Sequence, residues 1–228
     1  MHAYRRLAAE LTRELTDGVW RNGEALPSEN ALARAYTVSR RTVRQALDQL
    51  HGEGLVSKGQ GRNTVYLERA LGRSGERLVD FPTAARAAGL KPSTRLLWTR
   101  RRIAGLSEAH ALKIALATEV MEICRVRMLD GRPVVRQASL LPLAVANRLP
   151  MEKLAGASLY ALLRAGLQDE IFLSLEHVSL LRASGDEAEA LAVPEGAALL
   201  RVQRVVTDVR GMPVEYSNSA LEASFFRF

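Results

Sequence analysis

One cysteine, Cys124, stands in 228 residues, so no intramolecular disulfide can form and no thiolate zinc cluster can be assembled. On an apolar, strand-like run it is expected to be a packed small side chain, in keeping with the burial of free thiols. Histidine is scarce too: His2, His51, His110 and His177 are scattered, without the His-x-x-x-His spacing that sets two imidazoles on one helix face. No apolar run reaches the length of about 18 residues that a membrane span needs. The N-terminal Met-His-Ala-Tyr-Arg-Arg leads into an amphipathic pattern and not into a signal-peptide core, and a cytoplasmic location is expected. Also missing are a Walker loop, the nucleophile elbow of a serine hydrolase and a carboxylate pair in an apolar setting. The expectation is a protein that is not an enzyme and needs neither cofactor nor metal.

What is present is a hydrophobic fraction of 47% and a net charge of +7. The first fits a globular chain of one or two domains, and the second points towards polyanions. The excess is unevenly placed. Residues 1–75 hold 12 Arg or Lys against 8 Asp or Glu, a net of +4, so about a third of the chain carries over half of it. Between 39 and 73 the acids are Asp48, Glu53 and Glu68.

Within that basic stretch Val43, Ala46, Leu47 and Leu50 recur at i, i+3, i+4 and i+7, the apolar stripe of a helix, while Arg40, Arg41, Arg44 and Gln45 point elsewhere. Ser39 is its natural N-cap. Upstream, Leu7, Leu11 and Leu15 predict a helix from Tyr4 to Asp17, stopped at Gly18. Ser28 caps a second helix, with Glu29 in the first turn where a carboxylate complements the helix dipole and with Leu32 and Ala35 turned inward. Tyr36-Thr37-Val38 leaves room only for a tight turn. Two short helices so joined form a plain helical hairpin or a helix-turn-helix, and spacing alone leaves both open.

The next stretch favours the second. Residues 54–66 hold two short strand-like pieces around the basic tip Lys58-Gly59-Gln60-Gly61-Arg62. Gly59 and Gly61 let backbone approach a sugar-phosphate surface, and Lys58, Gln60 and Arg62 supply donors. A Gly-rich loop alone is an ordinary turn; directly after an arginine-faced helix it completes a winged helix-turn-helix.

Tyr4, Gly23, the run Leu26-Pro27-Ser28-Glu29, Leu32-Ala33, the core Val38-Ser39-Arg40-x-Thr42-Val43-Arg44-x-Ala46-Leu47, Gly54-Leu55-Val56 and Gln60-Gly61 together resemble the N-terminal domain of GntR-type bacterial transcription regulators. The resemblance covers residues 4–67. It implies operator DNA contacted by Ser28, Ser39, Arg40, Arg41, Thr42 and Arg44 on the helices and by Gln60, Gly61 and Arg62 on the wing. Asn30 departs from the pattern, since many relatives carry a DNA-contacting arginine there, so the operator sequence does not transfer from them.

Residues 68–78 are polar and contain Gly72, Ser74 and Gly75, the composition of a linker. Beyond it strands are predicted at 94–103, 120–129, 134–141, 171–181, 198–209 and 213–219, with helices at 81–88, 108–116, 158–165 and 186–192. Asp130-Gly131 is a strong hairpin signal, and Arg210-Gly211 makes another turn. Strands arriving in hairpins between short helices predict an antiparallel sheet with helices packed on it. The fold class expected is thus α+β, with a winged helix-turn-helix at 1–67, a linker at 68–78 and the sheet domain at 79–228.

This second order of pieces, Gly89-Leu90-Lys91-Pro92-Ser93-Thr94, Arg125-Val126-Arg127 before Asp130-Gly131-Arg132-Pro133-Val134, Ser158-Leu159-Tyr160, and Gly211-Met212-Pro213-Val214-Glu215-Tyr216-Ser217, resembles the UTRA effector domain of the HutC branch of the same regulators. The resemblance implies a chorismate-lyase-like fold that takes up a small ligand and dimerises.

Arg125 and Arg127 differ by two, so on a strand both project from one face. Paired guanidiniums attract phosphate, phosphonate or carboxylate through bidentate hydrogen bonds. An arbitrary Arg-x-Arg more often belongs to a solvated face; here the resemblance implies arginines that hold an anionic effector. It also implies Ser158 donating from a helix start, Phe81 to Thr83 at the pocket mouth, and Glu215, with Tyr216 beside it, accepting from ligand hydroxyl or amine groups. Gln137 stands where sugar-phosphate-binding relatives tend to have glutamate, and Leu221 where tyrosine is common. Both departures weaken the case for an amino-sugar phosphate and leave a phosphonate or another small anion at least as well supported. The function expected is a homodimeric repressor on double-stranded operator DNA, released by a small anion. The rivals are a chorismate-lyase-like enzyme with a DNA-binding appendage, which would turn a small anion over, and a non-specific nucleic-acid binder, which would discriminate little between sequences.

Overall fold

The computed structural model describes residues 3–16, 19–21, 23–53, 55–57, 64–66, 80–154 and 156–222, with backbone alone at 173–174. Two compact units divide the chain: Met1–Leu71 with Ala104–Thr118, and Gly72–Ile103 with Glu119–Phe228. The linker stretch 68–78 lies outside the described residues.

In the first unit α1 (Ala3–Leu15) buries Leu7, Ala8, Leu11 and Leu15, and α3 (Arg40–Gly52) buries Val43, Ala46, Leu47 and Leu50. Each such aliphatic side chain contributes about 1.5–3 kcal/mol when fully withdrawn from water, so this stripe decides which face of α3 stays outward. Between them α2 (Glu29–Ala35) is capped by Ser28 Oγ, which accepts from Ala31 N at 3.2 Å. Thr37, in the left-handed region at φ 53, reverses the chain into α3. Ser39 Oγ then accepts from Thr42 N at 3.1 Å and closes the next N-terminus. After α3 come β1 (Val56–Ser57) and β2 (Val65–Tyr66), antiparallel, with Ala25 bridging to Val65 as a third line of the wing. The wing tip at 58–63, with Gln60, Gly61 and Arg62, lies outside the described residues.

The second unit opens with α4 (Phe81–Ala87), whose N-cap Asp80 accepts from Thr83 N at 2.9 Å. Its sheet consists of β3 (Pro92–Ile103), β4 (Glu119–Leu129), β5 (Arg132–Pro142), β6 (Ile171–Arg182), β7 (Ala198–Asp208) and β8 (Pro213–Leu221), antiparallel throughout in the order β3-β4-β5-β8-β7-β6. Asp130 (φ 48) and Gly131 (φ 80) supply the two left-handed residues that a tight hairpin between β4 and β5 needs. On one face Ile123, Leu141, Val206 and Val214 pack with α6 (Leu143–Ala146) and α7 (Leu159–Leu167). On the other, Leu199 and Ala220 meet Ala188 and Leu191 of α8 (Gly185–Leu191). This is the α+β architecture that the strand and helix order predicts. Among the described residues no helix is long and apolar enough to cross a membrane.

The helix predicted at 108–116 forms two residues earlier, as α5 (Leu106–Ala111). Glu108 Oε2 accepts from Gly105 N at 2.7 Å to start it, and Lys113, at φ 53, stops it. Although α5 joins β3 to β4, it packs within the first unit. Glu14 Oε2 accepts from Ser107 N at 2.9 Å, and Ser107 Oγ donates to the Glu14 carbonyl. The His110 ring stacks on Trp20 at 3.6 Å between centroids and 5° between planes, and its Nε2 donates to Glu24 Oε2 at 2.7 Å. A carboxylate can only accept, so this bond fixes a proton on Nε2. In a Trp98→Phe background, where Trp20 is the sole indole, His110→Ala is expected to increase acrylamide quenching of Trp20 and to cost about 1 kcal/mol. Unchanged quenching would mean that the stack does not exist in solution.

Candidate functional site

Two groups of side chains carry chemistry. The first lies on α2 and α3. Because the aliphatic stripe faces α1, Arg40, Arg41 and Arg44 are left exposed, with Thr42 half-buried between them. Ser28 and Ser39 are spent as helix caps, and Ser39 Oγ also lies 2.9 Å from Thr42 Oγ1. Arg44 reaches back to α2, its Nε 3.2 Å from Glu29 Oε1 and its Nη2 2.9 Å from Glu29 Oε2. Arg40 Nη2 stands 3.8 Å from the same Oε2. The hydrogen bond to Glu29 strengthens the hold of Arg44 on its proton. Asn30, the next residue, is exposed.

The second group is buried in the sheet. Arg125 and Arg127 alternate with Ile123 along β4 and share its face. Register brings the neighbours. Arg125 pairs with Leu96 and Gln137, Arg127 with Thr94, and Ser139 with Ser217, which in turn pairs with Arg204. Arg127 donates to Gln137 Oε1 from Nη2 (3.0 Å) and Nε (3.3 Å) and to Thr94 Oγ1 from Nη1 (3.3 Å), and Phe81 lies 5.5 Å from its guanidinium carbon. Arg125 differs. It is 0% exposed, and its Nε, Nη1 and Nη2 find no hydrogen-bond partner among the described residues.

An arginine so placed is a poor base for its proton. Burial, and after it the like charge of Arg127, pulls the Arg125 guanidinium from its ordinary value down to about 9, and burial lowers Arg127 as well. Glu215, also 0% exposed, is the acid of the cluster. Ser139 Oγ donates to its Oε1 at 2.6 Å. Burial raises the Glu215 pKa against the opposing pull of Ser139 and of Arg125. Tyr160, the second residue of α7, bears on both Glu215 and Arg127, and burial holds its hydroxyl well above the usual phenol range. Arg204 stands on the same face, ion-paired to Glu176. Such a site can accept an anion at Arg125 and exchange hydrogen bonds with it around Glu215, Gln137 and Tyr160.

Not every residue expected at the effector site arrives there. Ser158 is the half-buried N-cap of α7, its Oγ 3.5 Å from Ala161 N. Thr83 is exposed on the first turn of α4, its N–H taken by Asp80. Tyr216 requires correction. It pairs with Leu140 and Val205, its hydroxyl accepts from Gln203 Nε2 at 2.6 Å, and it lies on the α8 face two rungs from Ala220. Adjacent strand residues point to opposite faces, so Glu215 and Tyr216 cannot share a pocket. In their place the sheet register adds Thr94, Ser139 and Arg204, and α7 adds Tyr160. Thr94 and Tyr160 already stand in the quoted pieces Gly89 to Thr94 and Ser158-Leu159-Tyr160, Ser139 lies two residues from Gln137, and Arg204 carries no local signal. Cys124 is buried, and burial raises its thiol pKa, which suits a packing role.

Comparison with known proteins identifies the family. The model of the "Bacterial regulatory proteins, gntR family" matches residues 3–65, and that of the "UTRA domain" matches residues 87–227. An uncharacterised HTH-type transcriptional regulator of Rhizobium meliloti is 31% identical across 96% of this chain and 91% of its own. The HTH-type transcriptional repressor NagR of Bacillus subtilis is 25% identical across 99% and 92%. Among solved structures, PhnF from Mycobacterium smegmatis superposes with a TM-score of 0.59 at 28% identity, covering 97% of this chain and 96% of that one. The chain belongs to the gntR family of bacterial regulatory proteins, in its UTRA-bearing HutC branch, and is a DNA-binding transcription regulator, not an enzyme.

Proposed function

We propose that the protein is a cytoplasmic, homodimeric repressor that grips a two-fold operator through α3 and the wing and lets go when a small anion enters the β4–β5–β8 site. One short recognition helix spans only a few base pairs, and two half-sites supply useful specificity. The division proposed is a DNA-binding domain at 1–67, a linker and hinge at 68–78 and an effector and dimerisation domain at 79–228. Ser28, Ser39, Arg40, Arg41, Thr42 and Arg44, with Gln60, Gly61 and Arg62 of the wing, meet the DNA. The single observation that supports the effector half is Arg125, buried with three unsatisfied donors. A buried cation without hydrogen bonds costs several kcal/mol, which the attraction of Glu215 offsets in part, and a phosphonate, sugar phosphate or carboxylate relieves the remainder on binding. Gln137 and Thr94 hydrogen-bond Arg127 through neutral oxygens, and Glu215 is the one buried acid set against the two guanidiniums, so an anionic ligand adds the charge that the pair still lacks.

Fluorescence anisotropy on a duplex selected from a random pool tests both halves. Arg40→Ala/Arg44→Ala is expected to weaken binding about 100-fold and to lower the salt slope by about 2. Inorganic phosphate, methylphosphonate, glucose 6-phosphate and gluconate are then titrated into the complex. One of them is expected to weaken binding about 5- to 150-fold. An unchanged affinity and salt slope in the double variant would remove the DNA assignment, and indifference to every anion would remove the effector assignment.

A further inference from the structure

The ion pair between α2 and α3 has a directional consequence. A guanidinium can engage a planar partner through its side edge, Nε with Nη2, or through its terminal edge, Nη1 with Nη2. Glu29 takes the side edge of Arg44 with both of its oxygens, at 3.2 and 2.9 Å. The arginine is thereby held at its side, and the terminal edge is what an exposed α3 offers outward. O6 and N7 of a guanine in the major groove accept that edge. Arg40, one turn earlier, shares the same carboxylate only at 3.8 Å and stays a mobile charge suited to phosphate.

We propose that Glu29 is a positioning residue for sequence reading, fixing Arg44 so that its terminal edge reads one guanine in each half-site. The inference rests on the reading in which α3 enters the groove. It has a consequence that mere bracing of the fold does not. Glu29 places a negative charge among groups that attract phosphates, so it lowers affinity for arbitrary DNA while raising discrimination. Its removal moves the two quantities in opposite directions, whereas loss of a bracing contact lowers both.

The test uses the full-length protein and a pool of random duplexes. Wild type, Glu29→Ala, Glu29→Gln and Arg44→Ala are carried through selection, and each is titrated with an unselected duplex over a range of salt. Wild type is expected to enrich a guanine at one position per half-site, with a preference of about tenfold or more. Arg44→Ala flattens that position. Glu29→Ala flattens the same position to under about threefold, binds the unselected duplex more tightly and steepens its salt slope. Glu29→Gln keeps an acceptor and falls between. Unfolding curves of the four proteins are expected to lie within about 1 kcal/mol of one another, the scale of a lost helix-dipole contact and a largely exposed ion pair. Retention of the wild-type preference by Glu29→Ala, with its loss in Arg44→Ala, overturns the positioning role and leaves the groove reading standing. Retention by Arg44→Ala overturns the guanine contact itself and Glu29 with it.

Discussion

Arg125→Met is expected to raise the melting temperature of the ligand-free protein and to abolish its binding of small anions. The two effects have one cause. The wild-type side chain sits at 0% exposure with no partner for Nε, Nη1 or Nη2, so the folded state bears a desolvation cost that the unfolded chain does not. Replacing buried ionic groups by apolar side chains of similar volume gains up to about 4 kcal/mol, and a gain of about 1–4 kcal/mol is roughly 2–16 °C for a chain of this size. The same charge is what an anion binds to, and its loss is expected to lower affinity for any anion that binds wild type by 100-fold or more, about 3 kcal/mol. Calorimetric titration and scanning calorimetry of both proteins check the pair. A variant that melts lower and still binds the anion would sink the site.

The same arginine makes a prediction in pH. Its folded value of about 9 lies well below the ordinary guanidinium value that the unfolded chain keeps. Below pH 9 the group is charged in both states and the full cost applies. Above about pH 9 the unfolded chain keeps a proton that the folded chain sheds, so stability gains with rising pH. The advantage of Arg125→Met over wild type therefore shrinks above pH 9.

What was legible in the sequence was local. Ser28 and Ser39 are caps because a hydroxyl before an amphipathic run has little else to do, and the stripe Val43, Ala46, Leu47, Leu50 leaves Arg40 and Arg44 outward by helical period alone. Arg125 and Arg127 share a face because they are two apart on a strand. Strand order was not legible, since β8 comes to lie between β5 and β7. Ser139 therefore meets Glu215 across 76 residues of chain. Tyr216 was misplaced for want of parity, because its neighbour Glu215 already occupied the other face. Glu29 looked like a helix-dipole partner and proves to be an ion-pair bridge as well, a role that depends on how α2 and α3 cross. The start and stop of α5 depend on Glu108 reaching Gly105 and on the left-handed Lys113, neither of which carries a strong propensity signal.

The end of α7 was legible only in part, and the reason predicts a large effect. The sequence pattern predicts a helix at 158–165, yet it continues through Gly166 to Leu167 and ends at the left-handed Gln168 (φ 55). The glycine is there for space. A Cβ on it would stand 2.7 Å from Leu149 Cδ2 and 2.8 Å from the Arg148 carbonyl oxygen, and Arg148 Nη2 in turn donates to Leu167 O at 3.2 Å. A methyl side chain can move aside, but a backbone carbonyl cannot without shifting the α6–α7 connection. Gly166→Val is expected to cost about 3 kcal/mol, since overpacking outweighs the small gain in helix propensity, and to lower the melting temperature by roughly 6–12 °C. Gly166→Ala, with a larger propensity gain and a smaller clash, falls between it and wild type. Gly185→Ala is the control, because nothing lies within 4 Å of a Cβ there. Since α7 also carries Tyr160 against Glu215, the shift reaches the buried cluster, and anion affinity in Gly166→Val is expected to drop at temperatures where the protein is still folded. A Gly166→Val protein that melts like the Gly185→Ala control would show that α7 does not approach Arg148 this closely.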